Sequence, residues 1–360
     1  MDKNMLELYS DFLIASVGLT TATALSAMTD NAISHDKVTR FLSSELLSQD
    51  KYWKLIKPIV REIEDDEGVI CIDDTIEHKP YTDENDIVCY HFDHTINKSV
   101  KGINILTLFY AGALALPIRY EIISKDEYYI DAKSGKQKRR SLKTKNELFY
   151  DALCAITFSN RVKYKTVVGD SWFGSSDTMK KIHYKFHKRF IFAMKSNRLV
   201  SFSKEAKQRG EFRPISKLDR GVDSLEGIWM KGIDFPLSLL IQHFKNEDGT
   251  IGVLYLVCND ISLDFTEMSN LYQKRWKIEE YHKSIKQNTG LERSPTKTVT
   301  TQSNHIFASI YAYVKLEILK FKTSLNHFAL KSKIYIKALK AAMAELVVLR
   351  ESVGVGVCVR

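Results

Sequence analysis

Cysteine is sparse. Five are spread over 360 residues, at positions 71, 89, 154, 258 and 358. An odd number at wide spacing supports neither a disulfide framework nor the paired ligands of a zinc site. Four of the five sit in apolar runs, so they read as reduced core thiols of a cytosolic protein. Long hydrophobic runs are missing too: no stretch approaches the roughly 20 apolar residues of a membrane span. The apolar run at 12–19 is too short, and too poor in basic residues before it, to read as a secretory signal. No internal repeat or low-complexity tract is present. Acidic residues are in deficit, 44 against 53 Lys and Arg, which leaves a net charge of +9 and a pI near 9.0. That balance favours a polyanionic partner. Nucleic acid is the first candidate, and charge alone is equally compatible with an acidic membrane surface. What remains is ordinary for a soluble globular chain, with 44% hydrophobic and 27% charged residues and enough length for two or three compact units.

The first 50 residues read as helices. Leu6, Phe12, Leu13, Val17 and Leu19 supply one apolar face, and Asp30-Asn31 breaks an Ala-rich segment at 20–28. Ser34 caps a further helix running to about Ser44, with Val38, Phe41 and Leu42 at core spacing. Two short helices across a tight break fit a helix-turn-helix, in which His35, Lys37, Thr39, Arg40 and Ser43 would face a DNA groove. They fit a plain helical cap as well. A charged connector follows at 50–67, with Trp53, Leu55 and Ile59 as the face of a docking helix.

The pattern then changes to buried strands. Val69 to Ile72 is continuously apolar and runs into Asp73-Asp74-Thr75. Further strands are expected at 87–92, 103–110 and 116–122. Next comes a basic loop with Lys133, Lys136, Lys138, Arg139, Arg140, Lys143 and Lys145, suited to phosphate contact. A helix over 145–158 precedes a strand at 165–168, which exits into Gly169-Asp170 and turns through Ser171 to Gly174 into a helix at 176–186. Carboxylates at strand exits of α/β units lie where ligands bind. Residues 188–257 read as mostly β. Helices are expected at 302–320 and 332–351. The Val/Gly tail at 353–360 reads as a frayed end or the product of a truncated or frameshifted frame.

The most ordered stretch is 271–290, expected as one helix, with Asp264 and Glu267 spaced as a capping box before it and Gly290 stopping it. At ~100° per residue, Tyr272, Arg275, Glu279 and Lys286 fall within about 60° of one another, with Lys283 in the same sector and His282 beside it. Leu271, Ile278 and Ile285 form a neighbouring apolar stripe. An amphipathic surface helix with an Arg275–Glu279 pair accounts for this much. The spacing of Tyr272, Arg275, Glu279 and Lys286, with Trp276, the Glu280-Tyr281-His282-Lys283 run and Gly290-Leu291-Glu292-Arg293, also resembles the YREK signature of bacterial insertion-sequence DDE transposases, whose catalytic core is RNase H-like.

The resemblance implies an α/β fold: an RNase H-like core over 51–187 and 258–300, a mostly β insertion over 188–257, a helix-turn-helix-like DNA-binding region over 1–50 and a helical region over 301–360. It implies Asp74, Asp170 and Glu279 as catalytic and metal-binding carboxylates. Asp74 is preferred because the family's aspartate precedes threonine. Strand alternation leaves Asp73 open, since the run is apolar throughout. Asp170 matches through its spacing to Phe173, although Trp172 stands where relatives commonly have a small residue, and Asp177 competes weakly. DNA contacts fall to Tyr272, Arg275 and Lys286, then His282 and Lys283, with Lys195, Arg198, Lys37 and Arg40 as further candidates. Relatives stack an extruded base on an aromatic of the β insertion, and neither Tyr255 nor Trp229 aligns clearly with it. The implied cofactor is a pair of Mg²⁺ ions, replaceable by Mn²⁺. The implied partners are double-stranded DNA, as terminal inverted repeats and target, and a second protomer in the synaptic complex, with no membrane. The implied location is the bacterial cytoplasm, nucleoid-associated on DNA. A hairpin intermediate comes from the family alone. A nuclease that cleaves without joining, or a catalytically silent DNA-binding repressor, fits the same carboxylates or the same charge.

Overall fold

The structure, a computed structural model, describes residues 2–93, 96–132 and 134–352. Lys133 of the basic stretch and the tail at 353–360 lie outside the described residues. In chain order, helices α1 (Lys3–Ala15), α2 (Ala22–Met28), α3 (His35–Ser43) and α4 (Gln49–Ile63) come first. Strands β1 (Val69–His78), β2 (Cys89–Asp93), β3 (Lys98–Ala111), β4 (Ala115–Ile122), β5 (Glu127–Ile130) and β6 (Gln137–Arg140) follow. Then come α5 (Lys145–Cys154), β7 (Thr166–Gly169), α6 (Ser176–Lys180), β8 (Arg189–Ala193), β9 (Leu199–Ser201), α7 (Lys204–Gln208), β10 (Arg213–Pro214), β11 (Ser224–Met230), β12 (Leu237–Lys245) and β13 (Ile251–Cys258). The chain closes with α8 (Phe265–Gln273), α9 (Trp276–Asn288), α10 (Val299–Thr323) and α11 (His327–Ser352). It divides into two units: an α/β unit from Ser48 to His282, and a helical unit made of the residues up to Leu47 and those from Lys283 on.

Short polar side chains start the helices where expected. Ser34 accepts the Lys37 N–H, and Thr144–Glu147 and Asp264–Glu267 form reciprocal capping boxes. Between α2 and α3, Asp30 and Asn31 both adopt left-handed φ, which their short polar side chains tolerate. The docking face of α4 differs from expectation. Tyr52, Ile56 and Val60 are buried, in place of Trp53, Leu55 and Ile59, because the Tyr52 hydroxyl donates to the Pro117 carbonyl at 2.5 Å and sets the helix's rotation.

The α/β unit is built on one mixed sheet, in the order β10-β9-β11-β12-β13-β8-β7-β1-β3-β2, with β4 on β3. At its centre β1 runs parallel to β7, from Val69 opposite Thr166 to Ile72 opposite Gly169, and antiparallel to β3. The parallel pairing stops there, so Asp73 and Asp170 are each the next residue on adjacent strands. The expected end of β1 at the aspartates is a correction: pairing with β3 carries the strand on to His78. Residues 189–258 continue the same sheet, since β8 is parallel to β7 and β13 antiparallel to β8. The basic stretch is not a plain loop. Gln137–Arg140 pairs with Glu127–Ile130 as a separate hairpin, where Arg139 and Arg140 lie 4.5 and 5.5 Å from the ring centres of Tyr128 and Tyr129. These cation–π contacts and the Arg140–Glu127 pair at 2.8 Å give the charged residues local partners.

In the helical unit, one buried amide side chain is satisfied entirely by backbone. The Asn304 side chain donates to the carbonyls of Leu42 and Glu45 and accepts the Leu47 N–H, each at 2.8 Å. Helix α11 buries only its first turns. Beyond them Ile336, Leu339, Met343 and Leu346 are exposed at spacings of three, four and three residues.

Gly102 sits where a Cβ would collide with the Glu77 carbonyl of β1. Gly102→Ala is therefore expected to force β1 and β3 apart and cost about 1–3 kcal/mol, as overpacking does. Chemical denaturation checks this, and unchanged stability would show that the pair accommodates the methyl group.

Candidate active site

The stretch read as one helix is two. Helix α8 ends at Gln273 and α9 begins at Trp276. Between them the backbone tightens to three-residue hydrogen bonds, from Arg275 to Tyr272, Lys277 to Lys274 and Ile278 to Arg275, at 2.9–3.1 Å. The Lys274 carbonyl also accepts from the buried Cys71 thiol of β1 at 3.6 Å. The break is thus anchored to the central strand. Below it, α9 buries Ile278 and Tyr281, and Tyr281 packs on Phe109 of β3 with ring centres 5.2 Å apart.

Arg275, at the break, ties the site together. Its guanidinium lies 2.8 Å from Glu279 and 3.6 Å from Asp73, and 5.8 Å from the centre of the Tyr272 ring. His282, one turn beyond Glu279, brings its Nδ1 to 3.9 Å from Asp73. Adjacent strand residues face opposite ways. Asp74 accordingly pairs elsewhere, with Lys145 at the start of α5, at 2.7 Å. Asp73 and Asp74 are equally accessible, with side chains 18% exposed, so access does not choose between them. Asp170 follows β7 and accepts the Trp172 N–H at 2.9 Å, which fixes the turn leading to α6. Glu279 is the most open of the acids, at 42%.

The electrostatics show crowded carboxylates. Burial pushes Asp73 up to about 7; the Arg275 charge opposes this, while Asp74 and Asp170 add to it. Burial also raises Asp170, with the N–H groups of Trp172 and Phe173 pulling it down and Asp74 pushing it up. Burial works against the Arg275 charge, and Tyr272, Glu279 and Asp73 outweigh it, so the guanidinium is held more firmly protonated than usual. Asp73 and Asp170 are thus each raised by burial and by the negative charge of a neighbouring aspartate. Among the described residues, no three His, Cys, Asp or Glu side chains form a ready metal group. Asp74 is turned to Lys145 and Glu279 to Arg275.

The other expected residues are dispersed. Lys195 is exposed, whereas Arg198 donates to the Gly174 carbonyl at 2.8 Å and supports the turn after Asp170. In the helical unit, Lys283 lies 5.4 Å from the centre of the Phe328 ring and Lys286 lies 3.6 Å from Glu292. Lys37 and Arg40 are exposed on α3 and line a cavity of about 370 Å³ with Phe41 and Ser44. Tyr255 is buried. Sequence reasoning missed the roles of Lys145, read as one of a basic run, and of Trp172, read only as a departure. The capping box at Thr144, which sets Lys145 in the first turn of α5, was a usable signal.

A family model described as a DDE superfamily endonuclease matches residues 2–222, and one described as a transposase DDE domain matches residues 142–315. Their overlap contains Asp170. No curated protein matches the chain.

The raised Asp73 gives a pH signature. Between about pH 4 and pH 7 the folded state holds a proton that the unfolded chain has lost, so stability falls as pH rises through that window. Asp73→Asn is expected to raise the melting temperature at pH 8 and to change it little at pH 4. Calorimetry at the two pH values checks this; an equal shift at both would mean that the buried charge is not the cause.

Proposed function

The chain belongs to the DDE superfamily of endonucleases and transposases, and from that premise we propose that it is the DNA transposase of an insertion sequence. It binds the terminal inverted repeats, cleaves the DNA at the element ends and joins the freed 3′-hydroxyl to target DNA. The observation that carries this reading is Arg275, which holds Glu279 and Asp73 just past the end of the parallel β1–β7 pairing, while Asp170 follows β7 at the same level.

The carboxylates suit a divalent cation in two respects. They are hard oxygen donors, and their mutual charge is relieved by one. Asp74, Asp170 and Glu279 would hold Mg²⁺, with Asp73 as the alternative to Asp74 and Mn²⁺ as a substitute. Such ions supply charge neutralisation at both the attacking and the leaving oxygen of a phosphodiester. The protein's own part is orientation. Arg275 presents a planar fork suited to a phosphate, and Tyr272 and His282 border it. Lys283, Lys286 and Lys195 would add backbone contacts, and Lys37 and Arg40 on α3 would engage the repeats. Arg198 contributes through the Asp170 turn. Two protomers would synapse two ends, paired through the exposed stripe of α11, whose three-four spacing is that of a coiled-coil seam. No helix among the described residues is long and apolar enough to cross a membrane.

One family description is of an endonuclease, so cleavage without joining is the second reading. Purified protein with Mg²⁺ and DNA bearing the repeats that flank its reading frame separates the two: strand-joined product supports transposition, and cut ends alone support the nuclease. Asp170→Ala and Glu279→Ala are expected to lower cleavage at least about a hundredfold, the scale lost with a transition-state stabiliser, while DNA binding persists. Unimpaired cleavage by Glu279→Ala would remove this site from consideration. Comparing Asp73→Asn with Asp74→Asn in the same assay identifies the first carboxylate.

For the pairing of protomers, Leu339→Lys with Leu346→Lys is expected to convert a dimer to a monomer in analytical ultracentrifugation. An unchanged sedimentation coefficient would exclude α11 as the interface.

A further inference from the structure

A cavity of about 240 Å³ opens in the α/β unit between α5 and the segment that continues α6. Its floor is apolar, made of Phe149, Leu153, Ile182 and Phe186, all buried. Beyond Lys180 the helix widens to a five-residue turn, in which the Phe186 N–H meets the Lys181 carbonyl at 3.2 Å. Such widened turns are frequent at functional sites. Phe158 stacks on Phe186, with ring centres 5.4 Å apart, and holds that ring in place. The polar groups at the edge favour a donor with positive charge. The Asn146 side-chain oxygen is buried and has no hydrogen-bond partner among the described residues, a costly condition that a donor relieves. Glu147 and Asp177 bring two carboxylates against the one ammonium of Lys181. Glu147 engages Thr144 through Oε2 alone. Asp177 is 75% exposed in its pair with Lys181 at 2.7 Å, and pairs so exposed contribute little.

We propose that this cavity is a binding site for a small aryl amine. The ring lies on the apolar floor beside Phe149 and Phe186. The ammonium donates to the Asn146 oxygen, and Glu147 and Asp177 balance its charge. A volume of about 240 Å³ is below the roughly 300–1,000 Å³ of drug-sized sites, so a single ring with a short tail is the size that fits. DNA is the wrong ligand here. In a chain of net charge +9, this edge carries more acid than base and repels phosphate. The site is therefore independent of the proposed DNA chemistry. The two are neighbours all the same: Asn146 follows Lys145, whose ammonium lies 2.7 Å from Asp74, so the cavity and the carboxylate cluster share α5.

The test titrates the full chain with phenethylamine, followed by saturation-transfer NMR, with 2-phenylethanol and phenylacetate as controls. Phenethylamine is expected to bind saturably with a Kd on the order of 1 mM, the scale for so few atoms. The alcohol is expected to bind about tenfold more weakly and the acid not to bind. Asn146→Leu replaces the acceptor with a group of similar size and is expected to lower amine affinity about tenfold. Asp177→Asn changes an exposed side chain, leaves the floor intact and is expected to lower it about two- to fivefold. Circular dichroism checks that both variants fold; should Asn146→Leu not fold, Asp177→Asn decides. A wild-type protein without saturable binding, or an alcohol that binds as well as the amine, overturns the site. So does amine affinity unchanged in Asn146→Leu or in Asp177→Asn. Loss of binding in Asp170→Asn but not in Asn146→Leu would put the amine among the catalytic carboxylates and overturns it too.

Discussion

A guanidinium between two acids is the constraint on which the candidate site depends. Arg275 is largely enclosed, and so is Asp73. A charge in such a place is tolerable only with a partner, and each supplies the other's. Glu279 then completes the guanidinium's coordination from one turn further along α9. Helix α9 packs independently on β3, the neighbour of β1, through Tyr281 on Phe109, which brings the polar residues of α9 and β1 within reach of each other. Charge pairing and apolar packing therefore agree on the same placement of α9 over β1.

The other half of the site depends on sheet topology. Parallel pairing of β1 with β7 brings two chain segments to the same level, and its end at Ile72 and Gly169 delivers an aspartate from each. The third strand, β3, keeps β1 extended, so Asp73 and Asp74 are held to opposite faces with little freedom to exchange roles. This is why the two neighbouring acids have different partners, Arg275 for one and Lys145 for the other.

Much of this was legible beforehand. Buried strands announced themselves as apolar runs, capping serines and capping boxes marked helix starts, and the mixed α/β class followed from their order. Asp170 and Glu279 were singled out by the resemblance of their spacing to the family's motifs. What stayed hidden depended on partners distant in the chain. The face to which Asp73 points is set by the phase of β1 against β3. Lys145 belongs to Asp74, 71 residues away, and nothing in a basic run singles it out. The break at Arg275 has no glycine or proline to announce it; it comes with a tightened backbone and a carbonyl met by Cys71 of another element. The buried face of α4 differs from the periodic expectation because the Tyr52 hydroxyl, counted as neither apolar nor polar by periodicity, reaches a buried carbonyl.

The junction between α8 and α9 also bears on how such a chain can diverge. Helix α8 is stabilised by its own capping box and by burial of Met268, whereas α9 is held by Ile278 and Tyr281. Since no continuous helical ladder joins them, substitutions that lengthen or reorient α8 need not rotate Glu279 about the axis of α9. The segment entering the junction is free to drift, and the chemistry downstream keeps its phase. Only Tyr272 and Arg275, at the seam, must satisfy both sides.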